Sequence, residues 1–205
     1  LREGSVGGMP ARVCRVTYSG ELAFEVHVPA WYGLAMWEAV MSAGHAHRIT
    51  PYGTQTMHVL RAEKGYIIVG QDTDGTVTPI DAGMRWLVSK RKADFIGRRS
   101  LSRSDTGRPD RNHLIGLLPQ DPAELLPEGA PLVLDANDPL PGVTYGHVTS
   151  SYFSAALDRT FALAVLVSGR DRIGTTVYSS LPDRIVAATV TEPVFYDPDN
   201  RRRDG

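Results

Sequence analysis

The chain has 205 residues, 42% of them hydrophobic, and a formal net charge of −1. That length and apolar fraction can fill one large core or two small ones, and the near-neutral charge excludes an overall bias toward nucleic acid or anionic membranes. A single cysteine excludes an internal disulfide and a cysteine-only metal cluster, and neither a membrane-length apolar run nor a basic-then-apolar leader is present, which points to a reducing, cytoplasmic setting.

The sequence starts at Leu1 and reaches patterned residues almost at once, which suggests a piece of a longer polypeptide. From Arg12 to Val28 two arms alternate with period two around Ser19-Gly20, a hairpin signal. A two-residue loop pairs Tyr18 with Glu21, Val16 with Ala23 and Cys14 with Glu25. Directly paired residues share a face, so one face carries Cys14, Val16, Tyr18, Glu21, Ala23 and Glu25. The other carries Val13, Arg15, Thr17, Leu22, Phe24, Val26 and Val28 and is the expected core side. The mixed face can be solvated, or it can floor a ligand site in which a carboxylate accepts from two adjacent N–H groups. The pattern leaves both open.

Leu34, Trp37, Val40 and Met41 recur at helical spacing between Ala30 and Gly44, which predicts a helix with one apolar face. Thr50-Pro51 predicts the start of a second helix that runs to about Glu63, with Gly65 as its stop. Tyr66 to Val69 reads as a buried strand, Asp72 to Pro79 as a loop turning at Asp74-Gly75, Met84 to Val88 as a strand containing Trp86, and Phe95 to Leu101 as a short helix. Residues 98–111 have the composition of a solvated linker. Beyond Asn112 the helical period gives way to short β-rich runs at 114–118, 132–134, 143–149, 161–167, 175–178 and 185–190, which predict a sandwich or a barrel. The tail from Asp197 to Gly205 is expected to be exposed or frayed.

No serine elbow, phosphate loop or dinucleotide fingerprint is present. The spacing of His45 and His47 suits surface histidines better than a metal site. Cys14 lacks a histidine neighbour in sequence and reads as a small packed residue. Trp86 suits either a core or stacking on a flat heterocycle.

Several segments, in order, resemble one family. Tyr18-Ser-Gly-Glu-Leu-Ala-Phe-Glu25, Leu60-Arg-Ala-Glu-Lys-Gly65, Thr78-Pro79 followed by Trp86, and Gly146-His-Val-Thr-Ser-Ser151 are similar to motifs of the folate-binding aminomethyltransferases, the glycine-cleavage T-protein family. Pro51 to Pro79 and Pro193-Val-Phe-Tyr-Asp-Pro198 resemble in particular the T-protein-like C-terminal portion of heterotetrameric sarcosine oxidase α subunits. The resemblance implies an α+β fold: a ferredoxin-like α/β folate-binding region and then a small C-terminal β-barrel. Residues 1–97 would form the first domain, 98–111 a linker and 112–205 the barrel domain.

It also implies tetrahydrofolate as ligand, contacted by Tyr18, Glu25, Trp86 and Tyr196, with Glu25 as the anchor of the pterin ring and Glu21 as a support for the loop. Met57 stands where many relatives carry a second pterin-contacting arginine. The family's catalytic aspartate has no counterpart here, so the resemblance implies no catalytic or metal-binding residue in this chain and no transferase activity for it in isolation. In the complete enzyme FAD, FMN and NAD would bind outside this chain, and its partners would be the other subunits of a heterotetramer, with neither nucleic acid nor membrane involved. The alternatives are an aminomethyltransferase, a folate-dependent tRNA-modifying relative, or a docking module that binds no folate.

Overall fold

The first turn of the molecule is absent from these expectations. In the computed structural model, which describes residues 1–138 and 142–204, β1 (Arg2–Val6) and β2 (Met9–Cys14) run antiparallel, with Val6 opposite Met9. Gly7 and Gly8 make the two-residue turn at φ 57° and 80°, the left-handed pair that a type I′ hairpin needs and that glycine adopts without strain. β3 (Glu25–His27) pairs with β2 to complete a sheet ordered β1-β2-β3.

Cys14 stands opposite Glu25, the register expected from a turn at Ser19-Gly20. The ladder ends there, and residues 15–24 form a wide loop instead of the expected hairpin arms. The loop closes on its own side chains: the Gly20 N–H, at φ 82°, donates to Thr17 Oγ1 at 3.0 Å. Outside the ladder, alternation no longer sorts residues into two faces. Leu22 and Phe24, expected in the core, are 48% and 59% exposed.

The predicted first helix divides into a 3-10 turn at Ala30–Tyr32 and α1 (Gly33–Gly44). Met36 is its buried residue, whereas Leu34, Trp37 and Val40, the expected apolar face, are exposed. α2 (Thr54–Glu63) begins later than Thr50-Pro51 predicts. The Thr50 hydroxyl donates to the Arg48 carbonyl at 3.3 Å instead of capping a helix, and the Gly53 carbonyl accepts from the Met57 N–H.

Chain packing divides the molecule into two units, residues 1–61 with 197–205, and residues 62–196. Gly65 follows α2 at φ 68°, as a helix stop should, and a Cβ there would strike the Pro193 carbonyl oxygen. Gly65→Ala is therefore expected to cost at least about 1–2 kcal/mol for the left-handed backbone, before the collision is counted; chemical denaturation would measure it.

The segment from Tyr66 to Val69 is not the predicted strand. Asp72 holds it: one carboxylate oxygen accepts from the Ile68 N–H at 2.9 Å, and the other accepts from the Thr149 and Ser150 hydroxyls at 2.6 and 2.7 Å. The turn at Asp74-Gly75 is as expected. The Thr76 hydroxyl and N–H both donate to Asp74 at 2.7 Å and hold its carboxyl below the usual range. Met84 to Val88 forms a 3-10 turn over Arg85–Leu87 rather than a strand, and a 3-10 turn over Arg99–Ser102 replaces the predicted helix from Phe95.

The late β-rich runs become β4 (Asn112–Pro119), β5 (Pro131–Val133), β6 (Gly146–Ser154), β7 (Arg159–Val167), β8 (Thr176–Ser180) and β9 (Ile185–Thr191). They close into a barrel ordered β4-β7-β6-β5-β8-β9, which decides between the two β architectures. In β9, buried Val186, Ala188 and Val190 alternate with half-buried residues, the period-two signature of a barrel wall. β7 is covered on both sides. Ala162, Ala164 and Leu166 join the barrel core with Ile115, Leu117 and Val177, while Phe161 packs on Phe195 with ring centroids 4.7 Å apart.

The expected linker is not solvated throughout. Arg111 is buried and donates to both oxygens of buried Asp81, at 2.8 to 3.1 Å, and to the Thr76 carbonyl. These hydrogen bonds converge where the loop meets β4, and the Leu114 N–H donates to the Asp81 carbonyl at 3.0 Å beside them.

Candidate functional site

β2 and β3 set the candidate site in the first unit. Arg12 pairs with His27 and Cys14 with Glu25, so the pleat turns all four side chains to one side of the sheet. His27 Nε2 lies 3.1 Å from Glu25 Oε2, and Arg12 Nη2 lies 3.1 Å from Glu3 Oε1. The Glu25 side chain is 58% exposed, and its second oxygen has no hydrogen-bond partner among the described residues. A carboxylate can accept at four lone-pair positions, so Glu25 can still receive two donors from a ligand while His27 fixes its orientation. A cavity of about 590 Å³ opens on this sheet beside Glu25, lined in part by Arg12, Cys14, His27 and Val28 but not by Glu25 itself.

Tyr18 lies in the wide loop, 37% exposed. The pairing that would set it on the same face as Glu25 stops at Cys14, so the loop's own contacts govern its position. The tail, expected to fray, supplies them. α3 (Arg201–Asp204) is capped by Asp197, whose carboxylate accepts from the Arg201 and Arg202 N–H groups. The Arg202 carbonyl accepts from the Leu22 N–H at 3.0 Å and the Arg202 side chain donates to Glu21 at 2.8 Å. Arg15 donates to the carbonyls of Arg203 and Asp204. Glu21 therefore supports the loop, as expected, and does so through the tail. Gly205 lies outside the described residues.

Removing residues 201–205 is expected to leave the barrel intact and to speed hydrogen exchange at the Leu22 amide about fivefold, the factor for one net hydrogen bond of about 1 kcal/mol. Residue-resolved exchange would measure it.

In the second unit Trp86 is 77% exposed on its single turn, not a core residue, with an open ring available for stacking. Tyr196 is half-buried, and its N–H and that of Phe195 both donate to the Glu63 carbonyl, at 3.1 and 2.8 Å. The Glu63 carboxylate accepts from the buried Ser154 hydroxyl at 2.6 Å. Glu63 is thus the residue that places Tyr196. In Leu60-Arg-Ala-Glu-Lys-Gly65 the charged residues Arg61, Glu63 and Lys64 are all buried.

The sequence reading misses His27 as the neighbour of Glu25. The available signal is alternation, since residues two apart on a strand share a face.

Two family descriptions match the chain: the GCVT N-terminal domain over residues 1–92 and the glycine cleavage T-protein C-terminal barrel domain over residues 112–197. The chain belongs to the glycine cleavage T-protein family. It is 56% identical over 200 residues to the sarcosine oxidase subunit alpha of Corynebacterium sp. (strain P-1), which covers 97% of this chain and 21% of that subunit. It is 32% identical over 194 residues to an aminomethyltransferase of Thermosynechococcus vestitus, covering 92% of this chain and 48% of the relative. The crystal structure of glycine cleavage system aminomethyltransferase T from Bartonella henselae superposes with a TM-score of 0.77 at 28% identity, over 93% of this chain and 50% of that one.

The chain therefore spans about a fifth of the length of the subunit alpha relative and about half of the aminomethyltransferases it matches. It is a T-protein-like module of mixed α/β structure with a closed six-stranded barrel, and the part of subunit alpha it matches is the aminomethyltransferase-like part. Among the described residues no helix is long and apolar enough to cross a membrane.

Proposed function

We propose that this T-protein module binds tetrahydrofolate as the folate-binding portion of a sarcosine oxidase α subunit, serving oxidative demethylation of sarcosine with one-carbon transfer to tetrahydrofolate. The identity to subunit alpha over nearly the whole chain supports the choice within the family. The observation that carries the reading is Glu25, an exposed carboxylate oriented by His27 through one oxygen and open at the other. The pterin ring offers an adjacent ring N–H and amino group, the donor pair that a bidentate carboxylate accepts. Bound tetrahydrofolate supplies the nucleophilic nitrogens that accept the one-carbon unit.

On this reading Glu25 anchors and orients the ring, and the tail-held loop presents Tyr18 to it. Trp86 and Tyr196 are assigned to the same ligand by motif correspondence, each on the geometry of its own unit. None of these side chains is assigned a proton transfer, and positioning is their contribution. FAD, FMN and NAD are assigned to parts of the enzyme outside these residues, and the partners are the remaining subunits of a heterotetramer.

Calorimetry of the full α subunit with tetrahydrofolate, wild type against Glu25→Gln, tests the proposal. Saturable binding that the substitution weakens supports it. Equal affinities would remove Glu25 from the site, and no binding by either form would favour a docking module.

A further inference from the structure

A second concave surface lies in the barrel unit, among residues 77–101. It is a groove of about 490 Å³ whose lining includes Val77, Leu87, Val88, Phe95 and Leu101. None of the four residues assigned to folate lines it. That volume and a mainly apolar lining, with Thr78, Ser89, Lys92 and Ser100 as its polar members, are typical of a site for a small organic molecule. At its edge Ile96 is fully exposed and Leu87 is 58% exposed, apolar surface that a bound molecule would cover.

The segment that supplies most of the lining is rich in cations, and Lys92 is the one that lines the groove. Between residues 87 and 102 stand Lys90, Arg91, Lys92, Arg98 and Arg99 against one carboxylate, Asp94. Lys90, Arg91, Lys92 and Arg99 have no ion-pair partner among the described residues, while Arg98 donates to the Lys92 carbonyl at 3.3 Å. The hydroxyl of Ser89, also in the lining, accepts from the Arg91 and Lys92 N–H groups and fixes the turn that carries Lys92. An apolar trough with an uncompensated cationic edge is complementary to a molecule that carries a hydrocarbon body and an anionic head.

We propose that this groove binds a small acyl carboxylate, with its chain along Leu87, Val88, Phe95 and Leu101 and its head at Lys92. The positive edge selects the anion, and the aliphatic lining favours a flexible chain over a polar metabolite. Nothing in this inference depends on the assignment of Glu25.

The test is ligand-observed NMR on the full chain with three probes that share a ten-carbon tail: decanoate, decanol and decyltrimethylammonium. Decanoate is expected to bind with a Kd below about 1 mM and the cation at least about tenfold more weakly. Lys92→Glu and Ile96→Glu, both at exposed positions, are each expected to weaken decanoate about tenfold with an unchanged thermal midpoint. Equal binding of the three probes, or decanoate affinity unchanged in both variants, would overturn the proposal by placing the tail on unspecific apolar surface. Absence of decanoate binding would overturn it too.

Discussion

Asp81→Asn is expected to destabilise the barrel unit by about 3 kcal/mol, because it leaves the buried Arg111 guanidinium with the exposed Asp105 carboxylate as its remaining counter-charge. The side chains of Asp81 and Arg111 are 4% and 9% exposed. Arg111 divides its donors between Asp81, Asp105 and the Thr76 carbonyl. Arg170 donates to the carbonyls of Ile80 and Asp81, so one carboxylate sits at the junction of the loop, the linker and the barrel.

Burial pushes the Asp81 carboxyl up, but the hydrogen bonds from Arg111 and from Thr78, with the Arg111 charge, outweigh it and leave Asp81 below the ordinary carboxylate range. With its folded pKa depressed, the unfolded state takes up the proton first as pH falls. Its stabilising contribution is therefore complete above the unfolded value of about 3.9 and is lost as pH falls through the lower folded value. Urea denaturation at pH 7 and across pH 4 to 2 would show both effects. The variant should have a lower midpoint at neutral pH and a shallower decline in acid. An unchanged midpoint at pH 7 would mean that the pair contributes nothing net.

Glu25→Gln is expected to weaken tetrahydrofolate binding roughly 10- to 150-fold, the factor for losing about 1.5–3 kcal/mol of charge-assisted hydrogen bonding. The amide keeps the shape and one acceptor, but it turns an NH₂ donor toward the two donors of the ring. Because Glu25 is exposed and its partner His27 is also exposed, the substitution should leave the thermal midpoint within the small range of surface changes. That separates it from Asp81→Asn, where stability moves. A loss of binding together with a loss of fold would count against a direct contact. Calorimetry and a thermal melt on the same preparations distinguish the cases.

The register of Cys14 with Glu25 was legible in the sequence, because alternation is a local property, although the tight turn and the inner pairs Val16–Ala23 and Tyr18–Glu21 do not form. The six barrel strands were legible as short β-rich runs between turn residues, while the covering of β7 on both sides came from the fold. Gly65 declared its turn because only glycine is at ease at its backbone angles.

Other features had no local signature. Leu34, Trp37 and Val40 form a helical stripe, yet whether a stripe is covered depends on what packs against it, and in the first unit these residues remain exposed. Trp86 is aromatic enough for a core and stands 77% open to solvent. Its neighbours in sequence do not state which.

By itself, the sequence determined the alternation, the turns and the family motifs, since each depends on residues close together along the chain. Only the tertiary structure decided that Asp81 finds Arg111 30 positions away and that Arg202 reaches Glu21 across 181. Contacts of that kind are selected by the free energy of the whole packed arrangement. A charged side chain in the sequence carries no mark of which opposite charge the fold will bring to it.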